Sequence, residues 1–247
     1  MKAILLAAGY ATRLYPLTEN FPKALLPIGG RPIADYILDQ IDALPDVDRI
    51  YVLSNHKYAG AFADWAKDHA LKHKLTVVDD GTANAETRLG AIGDIWFAIE
   101  KMHIDDDLLV VAGDNYFTYS LADYEAFFRQ KQADCVCVQE LPPEENPSRF
   151  GIALVAGDGR VTEFEEKPAQ PKSRLAVYAT YFYQKSTLPL IGQYLAEGNN
   201  PDAPGQFPAW LCHKKPVYAY AFDGVCYDIG THESLQAVDR MLGGGKA

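Results

Sequence analysis

Two cations near the start of the chain could bind phosphate. Arg13 and Lys23 lie in a proline-rich loop that begins at Gly9, directly after the apolar residues 3–8. A loop of small residues after a buried strand exposes backbone N–H groups, which is the geometry that receives phosphate. Basic side chains on a loop stiffened by proline therefore indicate a clamp for a polyphosphate rather than an ordinary solvated face.

Two carboxylates could bind a metal ion. Asp114 follows the apolar residues 108–112 and Gly113, and Asp228 lies between an apparent strand and a helix. Carboxylates at two strand ends suit a hard cation such as Mg²⁺, which takes few protein oxygens together with phosphate oxygens. An alternative is that Asp114 and Asn115 only cap the next turn. The sequence alone does not bring the two aspartates together.

Residues 6–32 form a longer motif. They read LAAGYATRLYPLTENFPKALLPIGGRP and closely follow LAAGxGTRLxPLTxxxPKxLLPxxGxP, so the chain resembles the sugar-1-phosphate nucleotidylyltransferases. Within that family the nearest likeness is to the glucose-1-phosphate thymidylyltransferases. Ala11 stands where the family loop has its second glycine. If that position needs a positive φ or a close approach to the triphosphate, affinity or loop shape differs here.

Four further motifs extend this resemblance. Gly113-Asp114-Asn115 and Asp228-Ile229-Gly230-Thr231 match the family's metal-binding GDN and DxGT motifs. Glu166-Lys167-Pro168 matches its EKP motif, in which the glutamate binds sugar hydroxyls and the lysine contacts the sugar phosphate, and Arg149-Phe150-Gly151 matches its R-[YF]-G motif. Ala179 replaces a sugar-contacting glycine, and its extra methyl could change the preferred acceptor.

The resemblance implies a role for each matched residue. It makes Arg13, Lys23, Asp114 and Lys167 catalytic, and it makes Asp114 and Asp228 the metal ligands. The nucleotide-binding residues that it implies are Leu6, Ala8, Gly9, Tyr10, Ala11, Thr12, Arg13, Thr82, Leu89 and Gly90. The sugar-phosphate-binding residues that it implies are Asn115, Gly151, Glu166, Lys167 and Ala179.

The implied enzyme is a nucleotidyltransferase (EC 2.7.7) that uses Mg²⁺. It transfers a nucleotidyl group from a nucleoside triphosphate to a sugar 1-phosphate, with glucose 1-phosphate favoured, and releases pyrophosphate. Overall likeness favours dTTP or UTP. The family's base-reading glutamine has no counterpart before Leu89, and Thr82 or a loop amide could read a pyrimidine instead. Cytosine therefore stays open, as do a different sugar or alcohol phosphate and a non-catalytic nucleotide-sugar-binding relative.

The elements that must position these residues alternate in the first half of the chain. Strands are predicted at 3–8, 49–54, 75–78 and 108–112, and helices at 31–44, 58–70 and 89–101. Continuous apolar strands that alternate with helices predict a parallel sheet covered on both faces. Ligands of such sheets bind beyond the C-terminal ends of the strands, where Gly9 and Asp114 lie.

The second half is richer in strands. Strands are predicted at 133–139, 151–155, 160–165, 176–183 and 216–222, helices at 187–196 and 233–242, and a loop at 197–206. We therefore predict an α/β fold of the nucleotide-diphospho-sugar transferase type. It has a Rossmann-like mixed, mainly parallel sheet with helices on both faces, and a small β-rich acceptor-binding part. Residues 1–247 are predicted to form one domain, with a nucleotide-binding half at about 1–117 and a sugar-phosphate-binding half at about 118–247.

Composition limits the partners. A formal net charge of −10 over 247 residues argues against nucleic acid or an anionic membrane as partner. The four cysteines show no zinc-binding spacing and are interpreted as reduced structural thiols. His69 and His73 have the spacing of some metal ligands, but no third ligand is nearby, so we interpret them as exposed helix-end residues. We expect no signal peptide, a cytoplasmic location, and a monomer or homodimer rather than a tetramer.

A dinucleotide-dependent oxidoreductase is the main alternative of another class, because it shares the strand, glycine loop and helix at the start. That class requires G-x-G-x-x-G and an acidic residue at the end of the second strand. This chain has Gly9-x-Ala11-x-x-Leu14, and its second predicted strand ends at Ser54-Asn55. Both requirements fail, so the oxidoreductase is excluded.

Overall fold

The chain folds into thirteen strands and seven α-helices in a computed structural model that describes residues 1–72 and 74–243. The strands are β1 (Lys2–Leu6), β2 (Pro27–Ile28), β3 (Arg31–Pro32), β4 (Arg49–Ser54), β5 (Leu75–Asp79), β6 (Leu108–Ala112), β7 (Asn115–Phe117), β8 (Asp134–Glu140), β9 (Gly151–Val155), β10 (Val161–Glu166), β11 (Leu175–Tyr183), β12 (Val217–Ala221) and β13 (Cys226–Asp228). The helices are α1 (Ile33–Asp42), α2 (His56–Asp68), α3 (Ala91–Met102), α4 (Leu121–Lys131), α5 (Leu188–Ala196), α6 (Gln206–Leu211) and α7 (His232–Met241).

These elements form two compact units. Unit 1 comprises Met1–Arg88, Val111–Leu121 and Gly224–Ala247, and unit 2 comprises Leu89–Val110 and Ala122–Asp223. Asp228 thus belongs to the same unit as the N-terminal loop. Among the described residues, no helix combines the length and the apolar character needed to cross a membrane.

Unit 1 is built on strands with the order β6-β1-β4-β5, of which β6 contributes only its residues 111–112 to this unit. β1 pairs in parallel with β4, and β4 with β5. Aliphatic side chains along these strands, such as Ile4, Leu5, Val52 and Leu53, have no exposed surface. Burial on both faces explains why the strands are continuously apolar rather than alternating. Two small antiparallel pairs, β2–β3 and β7–β13, complete the unit.

Unit 2 contains the antiparallel part of the fold. Its strand order is β10-β9-β11-β6, with residues 108–110 of β6 in this unit, and β8 pairs antiparallel with β11 and in parallel with β12. β9 and β10 pair antiparallel and are joined by a tight turn, in which Gly159 has φ 88° and donates its N–H to the Ala156 carbonyl at 2.9 Å. The predicted α/β class, with a mixed, mainly parallel sheet and helices, is confirmed.

Some predicted elements need correction. Helix α4 was not predicted, although its buried Leu121, Tyr124 and Phe128 have helical spacing. Helix α6 begins in the predicted loop 197–206 and has six residues, so it is too short to show a clear period. The interpretation of His69 as exposed is wrong, because its side chain is 13% exposed and Nε2 lies 3.6 Å from Asp35 Oδ1. His73 lies outside the described residues.

In unit 2, a buried ion pair links the start of β8 to the segment just before β12. Asp134 at the start of β8 has no exposed surface, and Lys215 Nζ lies 2.9 Å from its Oδ2. The same carboxylate accepts hydrogen bonds from the Gln184 N–H at 2.7 Å and from Thr187 Oγ1 at 2.8 Å. Burial nevertheless raises the pKa of Asp134. Such a carboxylate depends on all of its partners to remain charged inside the protein.

The four cysteines are free. Cys135, Cys137 and Cys212 are buried, and Cys226 is half-buried. Burial raises the pKa of the Cys135 thiol and of the Cys212 thiol. Thiols with a raised pKa carry little thiolate at neutral pH, so these two are poor nucleophiles.

Candidate functional site

The loop after β1 places Ala11 in a conformation usually taken by glycine. Ala11 has φ 48° and ψ 41°, and its carbonyl accepts hydrogen bonds from the Leu14 N–H at 2.9 Å and from Thr18 Oγ1 at 2.8 Å. The left-handed conformation costs a residue with a Cβ about 1–2 kcal/mol. Ala11 therefore takes, with strain, a conformation that glycine would adopt without this cost.

Thr82, in the segment that follows β5, accepts a hydrogen bond from Tyr10 of this loop. Tyr10 Oη donates to the Thr82 carbonyl at 3.0 Å, and the same carbonyl accepts from the His56 N–H at 2.9 Å. The Thr82 N–H donates to Asp80 Oδ1 at 2.6 Å, and the residue is 6% exposed. These contacts indicate that Thr82 positions Tyr10. A direct contact of Thr82 with a base stays a prediction.

Asp114 and Asp228 lie together in unit 1. Gly113 donates its N–H to the Leu6 carbonyl at 2.8 Å, and a Cβ at this position would lie 2.8 Å from the same oxygen, so only glycine permits the close approach of β6 and β1. β7 then pairs with β13 so that Asn115 faces Asp228, and the Ile229 N–H donates to the Asp114 carbonyl at 3.0 Å. The pairing of two short strands thus brings the carboxylates to one place.

Lys23 lies between the two carboxylates. Its Nζ is 2.8 Å from Asp114 Oδ2 and 3.7 Å from Asp228 Oδ1. The Lys23 side chain is 11% exposed, whereas those of Asp114 and Asp228 are 41% and 63% exposed. The donor set fits Mg²⁺, because two carboxylates already converge on one cationic group in this structure. Among residues 1–72 and 74–243, no group of three or more His, Cys, Asp or Glu side chains could hold a metal, so phosphate and water would supply its other ligands.

Arg13 and Asp228 both lie close to Gly230. A Cβ built on Gly230 would be 3.4 Å from Arg13 Nη2 and 3.4 Å from both carboxylate oxygens of Asp228. Within the described part of the chain, Arg13 forms no ion pair, and its side chain is exposed. Arg13 can therefore bind an anion without first giving up a carboxylate partner.

Glu166 defines a second group of predicted site residues, which lies in unit 2. A Cβ built on Gly151 would lie 2.9 Å from Glu166 Oε2, and one built on Gly205 would lie 2.1 Å from it. The side chain is 13% exposed, and burial raises the pKa of Glu166, while Lys167 Nζ at 3.8 Å lowers it by less. Two glycines therefore make the space in which this carboxylate sits.

Two other predicted site residues in unit 2, Lys167 and Ala179, lie in irregular backbone. Lys167 has φ 51°, donates its N–H to the Phe150 carbonyl at 3.0 Å, and is 62% exposed at its side chain. Ala179 lies where the register of β11 against β8 shifts, between Tyr178 and Tyr181. β11 advances by three residues where β8 advances by one, so Ala179 and Thr180 bulge out of the ladder, an irregularity that is often found next to active sites.

Leu89 and Gly90 lie at the start of α3 in unit 2. Gly90 has φ 79°, and a Cβ there would lie 2.6 Å from the Pro201 carbonyl oxygen. The Ala91 and Ile92 N–H groups donate to the carbonyls of Asp202 and Pro201 at 3.2 Å and 2.9 Å. The first helical N–H groups are therefore already hydrogen-bonded within the protein, and a direct phosphate contact would have to displace them.

Sequence reasoning missed Gly205. Nothing in its local pattern connects it with the Glu166 motif, because the contact joins residues far apart in the chain. The richness of residues 197–206 in Gly, Asn and Pro is the signal that could have drawn attention to this loop.

We predict that Gly205→Ala weakens binding of the sugar phosphate. Gly205 has φ −69° and ψ −16°, which alanine adopts without strain, so the effect comes from the new Cβ, 2.1 Å from Glu166 Oε2. Displacing the carboxylate by about 1 Å should raise the KM for the sugar phosphate by about 10- to 100-fold, with the KM for the triphosphate unchanged. Gly157→Ala, with nothing within 4 Å, is the control. An unchanged KM for the sugar phosphate would contradict the prediction that Glu166 binds it.

We also predict that Glu166→Gln stabilises the protein at high pH. The folded-state pKa of Glu166 lies above its ordinary value of 4.5, so its favourable contribution to stability exists below that pKa and is lost as pH rises. The variant should therefore have a higher Tm than the wild type at pH 8 and an equal Tm at pH 4. The exposed neighbour Glu165→Gln should show no such pH-dependent gain. Calorimetry at both pH values measures this, and an equal Tm at pH 8 would contradict it.

Comparison with known proteins identifies relatives of this chain. Residues 2–243 match the family model described as nucleotidyl transferase. The chain is 34% identical over 243 residues to a protein of Sulfolobus acidocaldarius assigned as a mannose-1-phosphate guanyltransferase, a match that covers 98% of this chain and 63% of that protein. It is 29% identical over 259 residues to the UTP–glucose-1-phosphate uridylyltransferase AglF of Haloferax volcanii, covering 98% of this chain and 96% of AglF.

A solved structure shares the fold. A crystal structure assigned to glucose-1-phosphate thymidylyltransferase from Bacillus anthracis, in complex with a sucrose, superposes with a TM-score of 0.81 at 27% identity. The match covers 98% of this chain and 95% of that chain. The nucleotide-diphospho-sugar transferase type of fold is thereby confirmed. The chain nevertheless spans less than two thirds of the Sulfolobus relative, at 63% of its length.

Proposed function

The chain belongs to the nucleotidyl transferase family, and from this premise we propose that it transfers a nucleotidyl group from a nucleoside triphosphate to a sugar 1-phosphate. The products are a nucleoside-diphosphate sugar and pyrophosphate. The observation that carries the proposal is the contact of Lys23 Nζ with Asp114 and Asp228 at 2.8 Å and 3.7 Å, beside a loop that carries Arg13. Two carboxylates and two cations at one strand end suit a triphosphate and a divalent cation.

The proposed reaction is an in-line displacement. A phosphate oxygen of the sugar 1-phosphate attacks the α-phosphorus of the triphosphate, and the bond to pyrophosphate breaks. The attacking oxygen is already anionic at neutral pH, so no general base is needed. The protein must instead hold two anions that repel each other and offset the negative charge of the transition state.

Unit 1 residues are proposed to act on the triphosphate. Arg13 binds the leaving pyrophosphate, and Lys23 contacts the triphosphate. Asp114 and Asp228 are the side chains that would hold Mg²⁺, which supplies positive charge to the phosphate oxygens when bound. The other proposed nucleotide-binding residues are Leu6, Ala8, Gly9, Tyr10, Ala11, Thr12 and Thr82 in unit 1, and Leu89 and Gly90 in unit 2.

The sugar phosphate is proposed to bind Glu166 and Lys167. The Glu166 carboxylate accepts hydrogen bonds from sugar hydroxyls, which would replace part of the solvation that it loses through burial. The exposed Lys167 ammonium binds the phosphate of the acceptor. Asn115, Gly151 and Ala179 complete the proposed set, with glucose 1-phosphate as the favoured acceptor.

The base of the triphosphate is proposed to be a pyrimidine. We favour dTTP or UTP, and CTP is the alternative. The names of the relatives include guanylyl, uridylyl and thymidylyl transfer, so family membership supports transfer without selecting a base. We also propose a cytoplasmic location, a single domain over residues 1–247 and a homodimer. The net charge of −10 supports the further proposal that nucleic acid and membranes are not partners.

Pyrophosphate release tests the proposal. The purified chain is incubated with Mg²⁺, each of dTTP, UTP, CTP, ATP and GTP, and several sugar 1-phosphates. We expect release only when a triphosphate and a sugar phosphate are both present, and most rapidly with dTTP or UTP and glucose 1-phosphate. No release with any pair would favour a non-catalytic relative, and fastest release with CTP would favour a cytidylyltransferase.

A further inference from the structure

Lys23 occupies the position between Asp114 and Asp228 that a divalent cation would take. We propose that Lys23 competes with the metal ion for these two carboxylates, and that metal binding releases its ammonium to the triphosphate. The proposal deepens the function given above and rests on it for the identity of the two ligands. It adds a residue that sets how tightly the protein binds metal before nucleotide arrives.

The distances make joint occupancy unfavourable. Lys23 Nζ is 2.8 Å from Asp114 Oδ2 and 3.7 Å from Asp228 Oδ1, so one positive charge already lies between two negative ones. Mg²⁺ binds carboxylate oxygens at about 2.0–2.1 Å. A divalent ion held by both aspartates would therefore lie next to the ammonium. Two cations at such a separation repel each other strongly, and one of them must leave.

The backbone of Lys23 is held in place, whereas its side chain can move. Its backbone begins a short 3₁₀ turn, Lys23–Leu25, in which Ala24 and Leu25 are buried, and Pro22 precedes it. The backbone is therefore fixed by packing, whereas the four-carbon side chain has rotatable bonds and can redirect its ammonium. The Lys23 side chain is 11% exposed, so leaving the aspartates without a new anionic partner is unfavourable.

This arrangement couples the affinity for metal to the affinity for the triphosphate. Without a triphosphate, metal binding must displace Lys23 from its carboxylates, and metal affinity is lowered. With a triphosphate present, the displaced ammonium gains phosphate oxygens, and the penalty is reduced. Metal and triphosphate should thus increase each other's affinity for the protein. By linkage, the metal raises the affinity for triphosphate by the same factor as the triphosphate raises the affinity for metal. The coupling should be much smaller when residue 23 has no charge.

Mn²⁺ binding to the nucleotide-free chain tests the proposal. Electron spin resonance gives the Mn²⁺ Kd of the wild type, Lys23→Met and Lys2→Met. Lys2 is the matched control, because its Nζ lies 2.6 Å from Asp48 Oδ2 in the same unit and its loss changes the net charge equally. We expect Lys23→Met to bind Mn²⁺ about tenfold more tightly than the wild type. Lys2→Met should match the wild type. Lys23→Gln serves as the second variant if Lys23→Met does not fold.

The outcomes separate the two levels of the proposal. Equal or weaker Mn²⁺ binding by both Lys23 variants, with binding lost in Asp114→Asn, would overturn the competition and leave the metal ligands standing. No Mn²⁺ binding by the wild type or by either Lys23 variant would overturn both the competition and the metal assignment. A repeat titration with a non-hydrolysable triphosphate should remove most of the difference between wild type and Lys23→Met.

Discussion

Replacing Asp114 by asparagine should lower turnover by about 10²–10³-fold at saturating Mg²⁺ and substrates, as loss of one electrostatic group in an active site does. The change keeps the size of the side chain and one acceptor oxygen, but it replaces the other oxygen by an amide NH2 and removes the charge that faces Lys23 Nζ at 2.8 Å. Because Asp114 is 41% exposed at its side chain, we expect little change in Tm. Turnover is measured as pyrophosphate release.

Asp48→Asn is the matched control for this change. Asp48 also accepts from a lysine, Lys2 Nζ at 2.6 Å, and also lies in unit 1. It has no proposed ligand, so its variant should keep wild-type turnover. Wild-type turnover of Asp114→Asn in saturating Mg²⁺ would disprove the assignment of Asp114 to the metal.

The second large effect concerns stability. Lys215→Met should lower the free energy of unfolding by about 3–5 kcal/mol, the usual cost of leaving a buried carboxylate without its partner. Asp134 has no exposed surface, and Lys215 Nζ at 2.9 Å is its cationic partner. For a protein of this size such a loss lowers Tm by on the order of 10 °C. Urea denaturation and calorimetry measure the two quantities.

Two variants make this result interpretable. Lys185→Met removes an exposed pair in the same unit, Lys185 Nζ to Asp105 Oδ2 at 2.7 Å, and should cost less than about 1 kcal/mol. Asp134→Asn combined with Lys215→Met removes both charges and should recover much of the lost stability. If Lys215→Met costs no more than Lys185→Met, the buried pair does not stabilise the native state.

The strands β4 and β6 were predictable because they are almost entirely buried. The mainly apolar residues 49–54 and the aliphatic residues 108–112 predict strands with the bounds that β4 and β6 have. Helix α6 was not predictable in this way. It contains Pro208 and has six residues, and only its packing in unit 2, with Phe207 and Leu211 buried, makes it a helix.

The candidate site was predictable as a set of residue types but not as a geometry. The motifs indicate that Asp114 and Asp228 belong to one site. The position of Lys23 between them depends on the pairing of β7 with β13, two strands of three residues each. Strands so short carry no pattern of their own. Likewise, the contact of Gly205 with Glu166 depends on the path of a loop that local propensity does not determine.

Isotope tracing tests the central claim, transfer of the nucleotidyl group to the sugar phosphate, most directly. The chain is incubated with Mg²⁺, the best triphosphate and a sugar 1-phosphate that carries ¹⁸O in the non-bridging oxygens of its phosphate. The masses of the products are then measured by mass spectrometry. We predict that every ¹⁸O label appears in the nucleoside-diphosphate sugar and none in pyrophosphate. Label in pyrophosphate or in inorganic phosphate, or pyrophosphate formed without a nucleotide sugar, would contradict attack by the sugar phosphate on the α-phosphorus.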